Sequence, residues 1–488
     1  MASALWLFLW LCAAGWAGSY PGIPTPRHLD WDEQEADQFY RERWNGAAAD
    51  PASVRYPSLE LFFRAARFGY LGPVRAMPSD GARLLWSQDQ SLSRRFEDLG
   101  YSPDSGLIDR FCVFEEIDAT YMEWHTGYVQ EQLSAALMLH ALAGVKVRMI
   151  LPDNLFIKGE DRRRLKDLER AGVNIAWFKA HGAGNLRDQL NKNVHAKMLR
   201  VKKTCGGRTM ETMIVGGSNI KDSFFRDTSE TILGEKRNVN RGLDSGLSYR
   251  DLDVWVEHPG LVQDGKRIFE SLFRYATQGS HAEDHAEEAS EAEPEQPRAV
   301  AVGEAQVCRA RIFLSAPFEG DRTWEDLFVG LLDHSREQVV CIAPYYSPSA
   351  RVWEAVRRAM SRGVKFTLFT NSRFRRDNVP KFLQSPVRHR LNLALDAGVD
   401  VREWEDPTVL HAKSCLFDDQ VLYVGGANLN MRSFKHDAEN GLVFHCGPLA
   451  EDWKQAVLAD MQARSRPYKR RKAGVFAEFL SNLIEYYY

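Results

Sequence analysis

The sequence predicts an α/β protein in which one domain occurs twice. Residues 141–150 correspond to residues 359–368, and each stretch has the end of an amphipathic helix, a glycine and an apolar strand. Farther along, residues 171–173 correspond to residues 397–399, where a helix again leads into a strand. Because the matching stretches keep the same order in both halves, they indicate a duplication. Alternating helices and strands predict mainly parallel central sheets, and two copies predict pseudo-two-fold symmetry.

The overall composition is that of a folded, nearly neutral protein. The 488 residues are 44% hydrophobic and 26% charged, which excludes a wholly disordered or collagen-like chain. The formal net charge is −3. A protein that binds nucleic acid through charge alone is strongly basic, so we expect no stable nucleic-acid partner.

The N-terminus has the features of a signal peptide. Residues 1–26 contain no charged side chain, and the apolar residues 5–11 are followed by small residues. This apolar run is shorter than the roughly 20 residues of a membrane-spanning helix, and Gly15 and Ala17 fit a cleavage site. We therefore expect residues 1–18 to be the signal peptide of an exported protein, although no Lys or Arg precedes the apolar run. An uncleaved membrane anchor and a buried apolar N-terminus are the alternatives.

Composition divides the rest of the chain into segments. Residues 281–297 hold seven acidic residues and no Lys, Arg or large apolar residue, which predicts a solvated, disordered linker. A solvated helix edge is the alternative. The predicted segments are an N-terminal extension (19–74), a first domain (75–277), the acidic linker (278–304), a second domain (305–463) and a C-terminal segment (464–488).

The C-terminal segment is basic and then amphipathic. Six Lys or Arg residues lie within 464–472, and apolar side chains recur at helical spacing within 476–487. Such a segment is typical of proteins that lie on anionic bilayers. The alternative is a terminal helix packed on its own domain.

The cysteines show no metal-binding pattern. Cys12 would leave with the signal peptide, and no CxxC or Cys/His spacing occurs among the other six. Several lie in apolar, strand-like stretches, which favours buried free thiols over a disulfide framework. These six are Cys112, Cys205, Cys308, Cys341, Cys415 and Cys446.

Each half contains the pattern His-x-Lys on a predicted strand. Residues i and i+2 of a strand face the same side, so His195 projects with Lys197, and His411 projects with Lys413. A single His-x-Lys pattern is most often a surface strand, but two copies with matching downstream sequence indicate a functional site.

A glycine-rich turn follows each of these motifs. The second strand segment after each motif ends in Gly-Gly-x-Asn, at Asn219 and at Asn428. A hairpin would return these amides to the His and Lys side chains, and the glycines permit close approach of a ligand. Two such sets about a two-fold axis suit a phosphodiester in one shared active site, because one His can attack phosphorus while the other protonates the departing alkoxide. Lys and Asn donors would stabilise the phosphoryl charge, so we expect no metal and no cofactor.

These motifs resemble the signature of the phospholipase D superfamily, which is His-x-Lys, four residues, Asp, six residues and then Gly-x-x-Asn. The second copy fits fully, with Asp418 as a supporting residue and Gly425 in the turn. In the first copy Lys202 stands in place of the signature Asp, and the hairpin is seven residues longer. We expect the site to tolerate this loss. The resemblance implies two phospholipase D-like α/β/α sandwich domains.

The resemblance also implies an acidic partner that orients each histidine. Asp251 and Glu439 occupy matching positions in the two halves. Such a carboxylate would fix the imidazole tautomer and favour the imidazolium form. Asp253, two residues after the first of these, is more simply an outward strand residue or an alternative partner.

Within the superfamily, the second half is most similar to bacterial cardiolipin synthases. Residues 425–434 are similar to their GxxNLDxRS stretch, and Glu403 precedes the second motif as it does in their pattern. Residues 370–380 resemble a segment of the soluble branch of those enzymes. The likeness covers residues 75–277 and 305–460.

The family likeness implies a phosphatidyltransferase that forms a phosphatidyl-histidine intermediate. The more frequent family assignment makes His195 the nucleophile and His411 the acid and base. Phosphatidylglycerol or phosphatidylethanolamine would be the lipid substrate, and transfer to a phosphatidylglycerol hydroxyl would give cardiolipin. Hydrolysis to phosphatidic acid, a nuclease or other phosphodiesterase, and an inactive lipid-binding protein are the alternatives. We expect an exported or cell-envelope protein, periplasmic if bacterial, that lies peripherally on an anionic membrane surface.

Overall fold

A computed structural model describes residues 58–66, 68–153, 157, 159–179, 193–225, 248–278, 307–317, 320–371 and 384–472. The predicted signal peptide, the acidic linker beyond Gln278 and residues 473–488 lie outside the described residues. None of the helices in the described part is long and apolar enough to cross a membrane.

The described chain forms two halves that alternate strands and helices. Ahead of the first half come α1 (Leu59–Ala65), β1 (Tyr70–Leu71) and β2 (Arg75–Pro78). The first half contains β3 (Ala82–Leu85), α2 (Gln88–Asp98), β4 (Tyr101–Ser102), β5 (Leu107–Ile108), β6 (Cys112–Thr120), α3 (Tyr128–Leu142), β7 (Lys146–Pro152), α4 (Gly159–Arg170), β8 (Asn174–Phe178), β9 (Met198–Cys205), β10 (Arg208–Gly216), β11 (Tyr249–Arg250), β12 (Asp253–Glu257) and α5 (Pro259–Gln278). The second contains β13 (Val307–Ser315), α6 (Thr323–His334), β14 (Gln338–Ile342), α7 (Ala350–Ser361), β15 (Lys365–Thr370), α8 (Gln384–Asp396), β16 (Asp400–Trp404), β17 (Val409–Leu410), β18 (Ser414–Phe417), β19 (Val421–Gly425), α9 (Met431–Lys435), β20 (Glu439–His445), α10 (Gly447–Asp452), α11 (Ala459–Arg464) and β21 (Ser465–Pro467).

The two halves repeat the same seven-stranded sheet. The strand order is β3-β12-β10-β9-β6-β7-β8 in the first half and β13-β20-β19-β18-β14-β15-β16 at the centre of the second. The pairing directions also match strand by strand. The predicted α/β class and duplication are therefore confirmed.

The prediction of mainly parallel sheets is wrong, because the sheets are mixed. Within the two seven-stranded units, parallel pairing occurs in β6-β7-β8 and in β14-β15-β16, and the other neighbours are antiparallel. Parallel pairing of neighbours needs a crossover connection, and α3, α4, α7 and α8 supply it between these strands. The His-x-Lys strands instead return as hairpins, which are antiparallel.

Matching glycines end the crossover helices α3 and α7. Gly144 has φ +86° and Gly363 has φ +92°, a left-handed conformation that favours glycine. The next residue in each half bonds back to the helix, from Val145 N to His140 O and from Val364 N to Ala359 O, both in the same pattern. These turns start β7 and β15, as the sequence pattern indicates.

The main hydrophobic core lies between the two sheets. In β10, Val215 belongs to this shared core, whereas Ile214 packs with the outer residues of the first half. In β19, Val424 belongs to the shared core and Tyr423 packs with the outer residues of the second half. The two-residue alternation of strands thus gives each sheet one face toward the other half and one toward its own helices.

Segments from both ends of the described chain complete the second sheet. Strands β1 and β2 pair with β13, so part of the predicted extension and the start of the predicted first domain belong structurally to the second half. At the opposite edge, β21 pairs with β16.

Four of the six C-terminal basic residues form ion pairs within the second half. Arg464 pairs with Asp406, Arg466 and Arg471 pair with Glu403, and Arg470 pairs with Asp396. The basic stretch 464–472 therefore packs on the second half, whereas the amphipathic stretch that follows it lies outside the described residues.

The six cysteines of the described chain form three disulfides, so the expectation of buried free thiols is wrong. The pairs are Cys112–Cys205, Cys308–Cys446 and Cys341–Cys415. Two of these pairs stand directly opposite on antiparallel strands, β6 with β9 and β14 with β18. The apolar strand context was correct, but strand register, which brings two cysteines together, is not visible in the spacing of a sequence.

Candidate active site

The two His-x-Lys motifs begin the hairpins β9-β10 and β18-β19. In each case the main chain of the histidine bonds to the opposite half: His195 N donates to Ala438 O, and His411 N donates to Arg250 O, both at 2.8 Å. Each motif is therefore held by a segment of the other half. Neither motif is positioned by its own domain alone.

The orienting carboxylates are also exchanged between the halves. Nδ1 of His195 lies 2.9 Å from both carboxylate oxygens of Glu439, and Nδ1 of His411 lies 2.6 Å from Oδ2 of Asp251. All four side chains are buried. Because Nδ1 of each ring is engaged, Nε2 is the atom of each imidazole that is left to react with a substrate.

The motif lysines lie beside their histidines and are almost completely buried. Nζ of Lys197 donates to His195 O at 2.7 Å, and Nζ of Lys413 lies 2.7 Å and 3.0 Å from the two ring nitrogens of His411. The charge of Lys197 helps to lower the pKa of Lys413, so the two lysines belong to one cluster. Two buried lysines in one cluster can donate to an anion.

The glycine-rich turns leave space for the carboxylates. A Cβ on Gly217 would lie 2.1 Å from Oδ1 of Asp251, and a Cβ on Gly426 would lie 3.2 Å from His195 O. The first of these distances leaves no room for a side chain. Gly217 is therefore required for Asp251 to reach His411.

Both motif asparagines are buried beside these turns. Oδ1 of Asn219 accepts from Glu123 N at 3.1 Å. The main-chain N of Asn428 donates to Oγ of Ser433, which itself donates to Glu439 Oε1 at 2.5 Å. Ser433 thus connects the second turn to the carboxylate that holds His195, a link that the sequence analysis missed because it treated this stretch only as a family likeness.

Comparison with known proteins identifies the family of this constellation. A family model described as "Cardiolipin synthase, PLD-like domain" matches residues 115–238 and 328–461, which include both motifs. The chain belongs to the phospholipase D-like family.

Curated relatives of this phospholipase D-like protein carry cardiolipin synthase names. It is 25% identical over 390 residues to cardiolipin synthase A of Pseudomonas fluorescens, covering 80% of this chain and 70% of the relative. It is 24% identical over 400 residues to cardiolipin synthase of Geobacillus kaustophilus, covering 76% and 70%. A solved structure of phosphatidylserine synthase from Haemophilus influenzae shares the fold, with TM-score 0.59 and 13% identity over 85% of this chain and 94% of that one.

The histidines of this phospholipase D-like protein favour the neutral form, contrary to the sequence expectation. Burial and the charge of Lys197 lower the pKa of His195 well below its usual range, and burial and Lys413 lower the pKa of His411 to about 4. Asp437 opposes the shift of His195, and Asp251 opposes that of His411, but neither outweighs it. Burial also lowers the pKa of Lys413 to about 7. The site therefore disfavours further positive charge until an anion enters it.

The signature Asp418 lies outside the cluster of histidines and lysines. Its carboxylate accepts from the main-chain N atoms of Arg336, Glu337 and Gln338, and so fixes the loop that leads into β14. In the first half Lys202 pairs with Glu115, at a partly exposed edge. The replacement therefore removes no contact with the histidines.

Asp253 is committed to a buried network instead of to a histidine. It accepts from Nη2 of Arg95 at 3.0 Å and from Oγ of Ser91 at 2.6 Å, and its other oxygen accepts from Ser218 N at 3.2 Å. This network supports the first glycine-rich turn. Among the described residues, no group of three or more His, Cys, Asp or Glu side chains is arranged to hold a metal ion.

Proposed function

We propose that this protein is a phosphatidyltransferase of the cardiolipin synthase type, acting on phospholipids through a covalent phosphohistidine. The observation that carries the proposal is the pairing of His195 with Glu439 and of His411 with Asp251 across one site that also contains two buried lysines. The cardiolipin synthase relatives support a lipid substrate.

The chemistry follows from two imidazoles whose Nε2 atoms are not held by the orienting carboxylates. One histidine attacks phosphorus, and the other, as imidazolium, protonates the departing headgroup oxygen. The roles then reverse, since the second histidine takes a proton from an acceptor alcohol, which attacks the phosphohistidine. A phosphatidylglycerol hydroxyl as acceptor gives cardiolipin, and water gives phosphatidic acid.

The buried lysines supply the charge stabilisation for this reaction. Lys197 and Lys413 face the anion of the phosphodiester, and their positive charge offsets the charge that gathers on the phosphoryl oxygens. Binding of the anion also offsets the repulsion from the lysines, which together with burial lowers the pKa values of the histidines. The substrate itself thereby favours protonation of the acid.

We also propose that the protein acts outside the cytoplasm, on an anionic membrane surface. The signal-like N-terminus supports this location, and so do the three disulfides, because disulfides persist mainly in oxidising compartments. Sedimentation with phosphatidylglycerol vesicles, compared between the full chain and a chain ending at Lys472, tests the membrane contact.

The decisive test is product identification. The purified protein is incubated with vesicles of phosphatidylglycerol or phosphatidylethanolamine, and the lipids are identified by mass. We expect cardiolipin from phosphatidylglycerol, loss of product in His195→Ala and His411→Ala, and retention in the matched variant His389→Ala, whose histidine lies on α8 beside a surface pocket. Phosphatidic acid alone would indicate a phospholipase, and cleavage of single-stranded DNA without lipid turnover would indicate a nuclease.

A non-catalytic lipid-binding role predicts a different result. The wild-type protein would then bind vesicles without changing any lipid. Activity that is lost in EDTA and restored by zinc or magnesium would contradict the mechanism based on histidine and lysine alone.

A further inference from the structure

Three aromatic rings surround His411. The ring of Phe224 lies 5.1 Å from the imidazole at 83°, that of Tyr249 lies 5.5 Å away at 75°, and that of Tyr345 lies 6.3 Å away at 79°. Phe224 and Tyr249 stack on each other at 4.6 Å. Both tyrosines are partly exposed, so this aromatic wall (Phe224, Tyr249 and Tyr345) reaches the surface of the site.

The internal repeat assigns a counterpart to each residue of the aromatic wall. His411 N donates to Arg250 O, and His195 N donates to Ala438 O. The residues just before these two acceptors, Tyr249 and Asp437, are therefore equivalent in the repeat. Phe224 and Ser433 each lie five residues after a motif asparagine. The counterparts of two aromatic side chains are therefore a carboxylate and a hydroxyl.

The third counterpart is also acidic. His125 N donates to Ile220 O, and Ser347 N donates to Leu429 O, both at 2.9 Å. Each acceptor directly follows a motif asparagine, so the two hydrogen bonds are equivalent. Glu123 and Tyr345 precede these residues by two positions, so they are equivalent. Each aromatic residue beside His411 thus has a polar counterpart in the repeat.

Those polar counterparts lie on the His195 side. Asp437 forms a two-bond ion pair with Arg432, and both act electrostatically on His195. Glu123 acts electrostatically on Lys197, the lysine beside His195, and lies 4.0 Å from Nζ of Lys221. The side chains of Glu123, Lys221 and Arg432 are each exposed by 21–23%, so this polar wall (Glu123, Lys221, Arg432 and Asp437) can meet a substrate.

We propose that the polar wall receives the hydroxyl-bearing headgroup of the phosphodiester, and that His195 is therefore the acid and base while His411 is the nucleophile. The inference rests on the proposed function and reverses the assignment that the family likeness implies. It also fixes the orientation of the substrate. The neutral polyol headgroup lies on the polar wall, where hydrogen-bond donors and acceptors are both present.

The link between the walls and the roles is the geometry of displacement at phosphorus. The leaving oxygen lies opposite the attacking nitrogen and within hydrogen-bond distance of the acid. A headgroup on the polar wall is next to His195, so His195 protonates it and His411 attacks from the other side. The acceptor alcohol enters where the headgroup left, because the second step retraces the first.

The protonation states of the two orienting carboxylates agree with this assignment of the nucleophile and the acid. Burial would raise the pKa of Asp251, but His411 and Lys413 lower it, so this carboxylate is ionised and holds the nucleophile with Nε2 unprotonated. Burial raises the pKa of Glu439 to about 7, so a proton is available next to His195 at neutral pH.

The two steps balance in protons and bonds. In the first, Nε2 of His411 bonds to phosphorus, the bond from phosphorus to the headgroup oxygen breaks, and that oxygen takes the proton from Nε2 of His195. In the second, His195 takes the proton of the acceptor hydroxyl, the acceptor oxygen bonds to phosphorus, and the bond from phosphorus to His411 breaks. Both side chains return to their starting states.

An ester with a leaving group that needs no acid separates the two roles. Excess phosphatidyl-p-nitrophenol is mixed with wild type, His195→Ala or His411→Ala, and p-nitrophenolate release per enzyme is followed by stopped flow. We expect His195→Ala to release about one equivalent in a burst with little further turnover, and His411→Ala to show no burst. Thermal melts establish that each variant is folded.

The opposite pattern, or no burst in either folded variant while wild type turns over, would overturn the assignment. A wild type that releases no p-nitrophenolate would instead contradict the proposed function, and the assignment with it. Peptide mapping of wild type quenched in alkaline denaturant gives an independent result, because trypsin releases His411 in peptide 403–413 and His195 in peptide 193–197. The phosphatidyl mass is expected on 403–413, and its presence on 193–197 would overturn the inference.

The headgroup site is tested by partition between glycerol and water. Glu123→Gln removes the charge of a hydrogen-bond acceptor, so the ratio of phosphatidylglycerol to phosphatidic acid should fall by about tenfold. Glu115→Gln, at the distant Lys202 pair, is the matched control and should keep the wild-type ratio. An unchanged ratio in Glu123→Gln would overturn the assignment of the polar wall.

Discussion

Glu439, in the second half, holds the imidazole of His195, in the first half, with both carboxylate oxygens 2.9 Å from Nδ1. The reverse exchange, from Asp251 to His411, is equally direct. A single half therefore has a histidine without its carboxylate and a carboxylate without its histidine. The duplication produces one complete site, not two.

Glu439→Gln should abolish most activity without unfolding the protein. The amide keeps the shape of the carboxylate, and burial already disfavours the charge that is removed. An amide cannot exchange the proton that Glu439 shares with Nδ1 of His195, and comparable changes lower turnover by roughly 10²- to 10⁴-fold. Lipid turnover and the melting temperature are measured on the same preparation. Activity within threefold of wild type would contradict the orienting role.

Gly217→Ala should uncouple Asp251 from His411. The added methyl group would lie 2.1 Å from Oδ1 of Asp251, so the carboxylate or the turn must move. We expect a lower melting temperature and loss of most activity. Gly159→Ala is the matched control, because an added Cβ there meets no atom within 4 Å. If both variants retain wild-type activity, the turn is not packed against the site as described.

The motif residues that meet in the site are predictable from the sequence, but which half supplies each orienting carboxylate is not. His-x-Lys and Gly-Gly-x-Asn are local patterns, whereas the exchange of Asp251 and Glu439 depends on how two sheets pack. Strand direction and the Cys341–Cys415 pairing were missed for a related reason, since register is a property of tertiary structure. The charge of the histidines was misjudged because burial, which outweighs the carboxylates, is not visible in a motif.

The buried histidine makes the folded state sensitive to acid. The pKa of His411 is about 4 in the folded protein and near 6.5 when unfolded, so the unfolded chain binds more protons between these values. The free energy of unfolding should therefore fall as the pH falls from 6.5 to 4, with roughly 3 kcal/mol from this residue. Denaturant unfolding of wild type and His411→Gln is measured across this pH range, and the free energies of unfolding are subtracted at each pH. Glu439 contributes with the opposite sign, but it is present in both proteins and cancels in this difference. Equal pH dependence in the two proteins would contradict the neutral, buried state of His411.

Asp418 should matter for stability and not for turnover, although it belongs to the family signature. Its carboxylate accepts three main-chain hydrogen bonds at the start of β14, so Asp418→Ala leaves those donors unpaired and should cost about 2 kcal/mol or more. Asp418 itself has φ +47°, which Asn tolerates better than Ala, so Asp418→Asn should lose less. Neither change alters a contact of His411, and turnover per folded molecule should stay within about twofold of wild type.

Lys202→Ala is the counterpart in the first half and should change neither quantity, because its pair with Glu115 is partly exposed. A large fall in turnover of folded Asp418→Asn would show that the signature Asp acts on the site itself, and the tolerance of the first half for lysine would then need another explanation.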